Sequence, residues 1–565
     1  MKTLIILINT VLFSLSLQAQ QFNWGLSIGD SAANNANSLV DKHGNVYSAG
    51  NFFSSIDFDP SAIVFNMASQ GQGDVFLQKL NSNGQLIWAK SFGNQNMDEC
   101  IRISLDHESN FYLLGSFQGT VDFDSGPGIA TLSSISGLVP DRYVAKFDSN
   151  GNFVWVKNIG FSLPLFPLSI HSDCDKNILI TGAFEMPMDF DPGPNTLTVN
   201  PVLGFDIFVL KLDSLGNFLW VKTFGSTKYE FGNSVNTDKS GNIYCTGSFR
   251  GTIDFNPGTS VHNLSPHSTE DIFILKLNKH GDFVWAKNMG GSYASSGYQT
   301  VIDDNGNVLV CGAFQDTIDF DPGPLNYTAV SNGLSDIFIT KMDSFGNFIW
   351  ANTVGGFGSD AGWAITTDGT GNVYCTGSFT DSVDFNSGSS INYLSSLGHQ
   401  DQFVLKLDAT GNYQWAVNFK SSLLGYGSSI SIDALGGLVV AGVFDSTADL
   451  NPGSGTYNVA TNGNTDYLIV KLNAYPTAIQ NTPSLNFAIW LYPNPSNGKL
   501  TAEISKDLLN SKFTVSDIAG RIIYESVLRE LKSEFNFNNL TYHGTYLITV
   551  HTGNLKLTDK IWICN

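Results

Sequence analysis

Short apolar runs recur along this chain, separated by clusters of Gly, Asn, Asp and Ser, the pattern of β-strands joined by tight turns. One copy reads Ser335-Asp336-Ile337-Phe338-Ile339-Thr340-Lys341-Met342, then Asp343-Ser344-Phe345-Gly346-Asn347, then Phe348-Ile349-Trp350-Ala351. Gly and Asn tolerate the positive φ that a two-strand reversal needs, so this segment predicts a hairpin. A second follows: Gly362 to Asp368, the turn Gly369-Thr370-Gly371-Asn372, and Val373 to Phe379. The unit returns about every 65 residues, marked by Gly50, Gly115, Gly182, Gly247, Gly312, Gly377 and Gly442, each two residues before an aromatic. Four short strands per unit is the content of one propeller blade, so the expectation is an all-β, seven-bladed β-propeller over residues 21–475. Phased so that each blade begins at the strand before its Asp-x-x-Gly-Asn turn, the last copy lacks a Trp strand. Phe22-Asn23-Trp24-Gly25-Leu26 at the other end supplies one, so the ring is expected to close on its N-terminal strand and leave no open edge.

The 565 residues allow more than one domain. Residues 1–19 read as a secretory signal, with Lys2, an apolar run from Leu4 to Leu15 and Ala19 before the cut. That run is too short to span a membrane, no other approaches the length required, and no transmembrane segment is expected. The formal charge is −21, and residues 21–475 hold 20 basic against 43 acidic groups. So acidic a surface repels phosphate backbones and anionic membranes, which argues against nucleic acid as partner.

Three features recur in every copy. Asp-Phe-Asp/Asn follows the second strand, as at Asp57-Phe58-Asp59 and Asp319-Phe320-Asp321, with the variant Asp449-Leu450-Asn451 in the last copy. These acids are the candidate metal ligands, and calcium is the one cofactor they could hold. The plainer reading is turn chemistry, because a few carboxylates fall short of the 6–8 oxygens calcium takes. Trp24, Trp88, Trp155, Trp220, Trp285, Trp350 and Trp415 occupy one blade position and read as buried inter-blade packing. Lys79, Lys146, Lys211, Lys276, Lys341, Lys406 and Lys471 are expected to pair with the hairpin Asp on the same rim. An active site needs a few groups with distinct pKa values in one place, so acids repeated around a ring argue against catalysis. Asp213 to Trp220 is similar to the Asp-box of sialidase propellers, but its Trp lies four residues beyond Gly216 rather than about three, and no glycosidase reading is drawn from it. The cysteines are expected to be buried free thiols: Cys245 and Cys375 share a repeat position, and Cys311, shifted by one, faces the other way and could look toward Cys245. Cys100, Cys174 and Cys564 suggest no disulfide framework.

Function is expected where the copies differ, on the longer connections of the rim opposite the tight hairpins. Aromatics fall unevenly there: Phe161, Phe166, Tyr229, Phe231, Tyr293, Tyr298, Phe357, Trp363 and Tyr426. Of these, Tyr229, Phe231, Tyr293, Tyr298, Phe357, Trp363 and Tyr426 are the candidate ligand-binding residues, able to stack a sugar or grip a protein. Arg102 and His171 stand out on inner strands that are otherwise small or apolar.

Runs such as Ser240-Gly241-Asn242-Ile243-Tyr244-Cys245-Thr246-Gly247 with Asp271-Ile272-Phe273-Ile274-Leu275-Lys276-Leu277 resemble the SBBP-type β-propeller repeat of bacterial surface proteins. That resemblance implies the fold and a cell-surface association, with no catalytic residues. Beyond a linker at 476–486, residues 487–565 form a second domain. Tyr492-Pro493-Asn494-Pro495 with Gly498, Asp517 with Gly520, Gly544 with Tyr546, and Lys560 resemble the C-terminal sorting domain of the type IX secretion system of Bacteroidota. This implies a small Ig-like β-sandwich, the type IX machinery as partner, and a secreted or outer-membrane-surface location. The expected function is therefore a secreted or surface-displayed binding module for a glycan or protein. The alternatives are a polysaccharide-degrading hydrolase or lyase with an unrecognised site, which leaves enzyme activity open, and a structural surface-layer protein.

Overall fold

The computed structural model describes residues 21–30, 36–135, 139–161, 169–388, 390–473, 489–492, 499–504, 506–517, 521–536, 544–552 and 555–563. The signal at 1–19 and the linker at 476–486 lie outside them. Among the described residues, every regular element apart from the short 3-10 turn Lys506–Leu508 is a β-strand.

The recurring unit is an antiparallel meander. In the first copy it runs Ala36–Val40, Val46–Phe52, Asp74–Leu80 and Leu86–Phe92. Equivalent meanders open at Glu99, Ser169, Glu230, Ser295, Ala361 and Gly425. In the last of them the fourth place is taken by Gln21–Ile28, paired with Asn458–Asn473 from Gln21 opposite Asn473 to Ile28 opposite Tyr467. First strands of successive meanders touch through short polar side chains. Asn37 donates to the Ile101 carbonyl at 3.1 Å, and the Ser38 N–H donates to Ser429 Oγ at 3.1 Å, which makes the first and last copies neighbours. This is a β-propeller-type fold. Second and third strands such as Ile243–Phe249 and Asp271–Leu277 are buried throughout, while fourth strands such as Phe283–Gly291 mix half-buried, exposed and buried positions.

The Trp set joins neighbouring copies, although most of its members are half-buried and only Trp350 is buried. Each pairs with the recurrent Lys, as Trp88 with Lys79 and Trp24 with Lys471. Six of the seven indoles, all but that of Trp415, then lie over the hairpin glycine of the next copy: a Cβ on Gly84 would sit 2.9 Å from Trp24, and one on Gly411 2.6 Å from Trp350. Indole N–H groups donate to the same turns, Trp24 to the Ser82 carbonyl at 3.1 Å and Trp285 to that of Ser344 at 3.1 Å.

The Lys–Asp pairing expected in every copy forms in three: Lys211–Asp173 at 2.9 Å, Lys341–Asp303 at 2.9 Å and Lys471–Asp433 at 2.8 Å. The residue opposite the lysine on the second strand decides this. Where it is Leu179, Leu309 or Val439, the ammonium reaches the carboxylate. Where it is Tyr47, Tyr112, Tyr244 or Tyr374, the ammonium lies over the ring, 4.7 to 5.1 Å from its centroid. In the last three of these the phenol donates to the aspartate in the lysine's place, at 3.1 to 3.2 Å. A cation over an aromatic face is worth about 0.5–2 kcal/mol, so the lysine keeps a favourable seat in both arrangements.

The Asp-Phe-Asp loops pack inward. Phe190 sits between Phe184 and Phe208, with centroids 5.3 and 5.1 Å away, and Phe320 between Phe314 and Phe338 at 5.6 and 5.2 Å. Their carboxylates bind backbone: Asp57 accepts from the Asp59 and Phe65 N–H groups and Asp319 from those of Asp321 and Tyr327, while Asp59 takes Ser61 N–H and Asp321 takes Gly323 N–H. Among the described residues no three His, Cys, Asp or Glu gather as a metal site.

A further buried Asp opens the third strand in six copies, and Asp466 holds the equivalent place inside the long strand Asn458–Asn473. Burial pushes the carboxyls of Asp74, Asp271, Asp336 and Asp401 above the ordinary range and those of Asp206 and Asp466 up to about 6; Asp98 and Asp360 rise to about 7 and 6 for the same reason. Asp206, Asp336 and Asp466 each bury one oxygen with no hydrogen-bond partner. Such a group binds its proton more tightly when folded, so stability grows as pH falls through the folded pKa toward the unfolded value near 4. His43, His107 and His171, whose pKa values burial lowers, oppose the trend below about 6.5 but are outnumbered. The melting temperature should therefore be higher at pH 5.5 than at pH 7.5 at constant ionic strength, with Asp466→Asn reducing the difference; a higher value at pH 7.5 would contradict this account.

All five described cysteines are free thiols. Cys311 does not look toward Cys245, as expected from its one-residue shift, but shares a core cluster with Cys375. Cys245 instead meets Thr181 Oγ1 at 3.4 Å, because each blade face packs against only one neighbour.

At the C-terminus, Ile489–Tyr492, Lys499–Ile504 and Lys532–Asn536 form one antiparallel sheet; Ile522–Val527, Lys512–Asp517, Gly544–Thr552 and Leu555–Ile563 form another. Leu500, Phe513, Val515 and Ile548 fill one core, with Phe513 stacked on Phe535 at 4.4 Å. Gly544 opens the strand that holds buried Tyr546, Asp517 accepts from Arg521, and Lys560 lies on the last strand. Tyr492 ends its strand, whereas Pro493, Asn494, Pro495, Gly498 and Gly520 lie outside the described residues.

Candidate functional site

A cavity of about 550 Å³ opens between the starts of the first strands. A recurring β-bulge builds part of its wall. In five copies the first strand slips by one residue, between Cys100 and Arg102, Gly232 and Ser234, Gly297 and Gln299, Gly362 and Ala364, and Gly427 and Ser429. The extra residues are Ile101, Asn233, Tyr298, Trp363 and Ser428, and all five line the cavity. A bulge leaves its extra residue out of the ladder and re-aims its side chain.

The glycine that marks each repeat makes room for this. A Cβ on Gly247 would lie 1.8 Å from the Phe231 carbonyl oxygen, and one on Gly377 2.0 Å from that of Ala361. No other residue fits beneath the displaced carbonyl.

Tyr298 and Trp363 stack on one another, centroids 4.4 Å apart and planes 18° from parallel. The Trp363 indole donates to Ser378 Oγ at 3.1 Å while 41% of the residue stays exposed. Burial pushes the Tyr298 phenol up to about 12 and raises that of Tyr426, which also lines the cavity, so both remain neutral donors. Arg102 and Glu99 bring the charges. Glu99 accepts from Ser116 Oγ at 2.7 Å, and Arg102, exposed to the cavity, donates to the Ile101 carbonyl at 2.8 Å.

Three of the seven candidate aromatics, Tyr298, Trp363 and Tyr426, thus meet at one cavity. They stand on the first strands Ser295–Ile302, Ala361–Thr367 and Gly425–Ile432, not on the connections expected to carry them. Tyr229 and Phe231 pack on Phe205, each with a centroid distance of 5.6 Å, outside the cavity lining. Tyr293 and Phe357 are surface residues, 54% and 84% exposed. Phe166 and the Phe161 side chain lie outside the described residues. His171 lines a separate depression of about 350 Å³ beside the tight hairpins, bonded to Thr237 Oγ1 at 2.9 Å and held neutral by burial, with its pKa near 4. Asn233 and Ser428, overlooked in the sequence, were marked there by position: 233, 298, 363 and 428 are one repeat position whose residue changes from copy to copy.

Residues 490–564 match the family described as the secretion system C-terminal sorting domain. The chain therefore carries a type IX sorting tail, which directs export to the cell surface or extracellular space and implies contact with that secretion machinery. Among curated proteins, it is 22% identical over 493 residues to the uncharacterized WD repeat-containing protein L264 of Acanthamoeba polyphaga mimivirus, covering 74% of this chain and 35% of that protein. It is 24% identical over 141 residues to the regulatory protein FlaEY of Caulobacter vibrioides, covering 25% of this chain and 15% of that protein. The chain thus spans about a third or less of the length of these curated relatives. Among solved structures, PorZ, a surface component of the type IX secretion system of Porphyromonas gingivalis, aligns over 96% of this chain and all of its own at 12% identity, TM-score 0.17. A mutant of the Synechocystis apocarotenoid oxygenase aligns over 81% of this chain and 95% of its own at 11% identity, TM-score 0.33. Among the described residues, no helix is long and apolar enough to cross a membrane.

Proposed function

We propose that this protein is a secreted or surface-displayed binding module: a seven-bladed β-propeller closed by its N-terminal strand, which holds a glycan or protein ligand in the cavity among its first strands. Seven meanders with one strand order, and the pairing of Gln21–Ile28 with Asn458–Asn473, support the ring. The stacked Tyr298–Trp363 pair carries the binding reading, because bulges turn two large rings out of the sheet into a cavity of ligand size. A glycosidase of the common kind sets two carboxyl groups across the scissile bond. Glu99 is the one acid among the described residues lining this cavity, which favours binding over hydrolysis. The reading requires no cofactor.

Trp363→Ala tests it. The full chain displayed to an array of extracellular polysaccharide fragments and surface-protein peptides should retain a defined set of spots, and the variant should bind them at least ten-fold more weakly, about 1.4 kcal/mol. Equal binding by a variant that melts like the parent would move the site elsewhere.

A further inference from the structure

The charges around the cavity do not cancel. Glu99 is held by Ser116 and has the Arg142 guanidinium among its electrostatic neighbours, and Glu270, in the adjoining depression, pairs with Arg250 at 2.9 Å. Arg102 has no such counterpart among the described residues: it bonds the neighbouring Ile101 carbonyl, and the titratable groups beside it, Cys100 and Tyr426, are neutral. In a region with 20 basic against 43 acidic groups, it is a cation exposed to a cavity whose one acid among the described lining residues, Glu99, is held by Ser116. The acids of the distant turns matter little at that point, since exposed charges are screened beyond roughly 8 Å at physiological salt. Protein crowds the guanidinium enough for desolvation to lower its pKa from the ordinary arginine value, so an anion beside it would regain energy that burial has cost.

The rest of the wall fits a sugar. Trp363 and Tyr298 offer a broad ring face, and sugar rings present patches of C–H groups that pack on such faces. Asn233 is buried, lines the cavity and has its Oδ1 without a hydrogen-bond partner, an acceptor suited to a hydroxyl. Arginine's planar fork matches a carboxylate with two parallel hydrogen bonds.

We infer that the cavity takes an acidic sugar, a uronic-acid residue within a glycan, with its ring against Trp363 and its carboxylate on Arg102. This rests on the binding reading above and names the chemistry of its ligand. A single carboxylate is favoured over a dense polyanion, because the acidic surface beyond the cavity repels added charge.

The test is an array of uronate-containing oligosaccharides, each printed beside its carboxyl-reduced counterpart, probed with the full chain, Arg102→Gln and Trp363→Ala. The acid form should bind ten- to hundred-fold more tightly than the reduced form, as expected for losing a charge-assisted hydrogen-bonded pair. Arg102→Gln should erase that difference while melting like the parent, and Trp363→Ala should weaken both forms. Equal binding of acid and reduced forms by the parent would overturn the acidic-sugar inference and leave the binding reading standing. Capture of acidic peptides in an Arg102-dependent way, with no saccharide bound, would overturn the sugar as ligand. Binding of no probe by the parent would overturn the inference altogether.

Discussion

A chain lacking residues 21–29 should melt on the order of 10 °C below the intact protein. Among the described residues, Gln21–Ile28 is the strand paired along the outer side of Asn458–Asn473, and its removal strands backbone N–H and C=O groups between Tyr467 and Asn473. Leu26 and Ile28 are buried in the cluster that also holds Phe52, Phe76, Ile469 and Tyr467, with Trp24 packed against it. Each fully buried aliphatic side chain contributes about 1.5–3 kcal/mol, and the indole seat on Gly84 is lost as well, so the total reaches several kcal/mol. The single change Trp24→Ala should give a smaller drop in the same direction, because it removes the contact with the Ser82 turn but keeps the strand. Differential scanning calorimetry of the three chains tests both; an unchanged melt after the deletion would mean that the ends are not joined in solution.

A chain ending before Leu491 should fail to reach the cell surface while folding its repeats normally. The truncation removes the matched region at 490–564 almost whole, including the core of Leu500, Phe513, Val515 and Ile548. Surface biotinylation in a type IX-competent host should fall to background, with the truncated protein retained inside the outer membrane and its melting transition preserved. Equal surface amounts of full and truncated chains would show that export does not depend on this tail. A subtler variant, Phe513→Ala, should reduce export in proportion to the loss of folded tail, since it opens a cavity beside Phe535 and typically costs 3–5 kcal/mol.

The strands were legible because their turns announce themselves: each Asp-x-x-Gly-Asn segment closes a hairpin, and each Trp falls opposite its Lys. The bulges were not. Alternation has a period of two, and one extra residue in a strand looks like the start of a loop, so Tyr298, Trp363 and Tyr426 were assigned to connections although they stand on first strands. The clue was present in the repeated glycine, whose missing Cβ is needed by the displaced carbonyl of the neighbouring strand. The lysines were half legible for a similar reason. Their partner is chosen by the residue opposite them on the second strand, Tyr or an aliphatic, and only the strand register puts the two side by side.

The pairing of Gln21–Ile28 with Asn458–Asn473 also has a temporal meaning. A segment made before any of the repeats must wait, apolar face uncovered, until the last repeat has been made and delivered. Contacts between residues so far apart in sequence form late and slowly. Until then the nascent chain is a curved array with a sticky end at each side, vulnerable to proteases and to pairing with its siblings. In the proposed ring, this pairing acts as a completeness check: a chain cut short in its final repeat has nowhere to seat Gln21–Ile28.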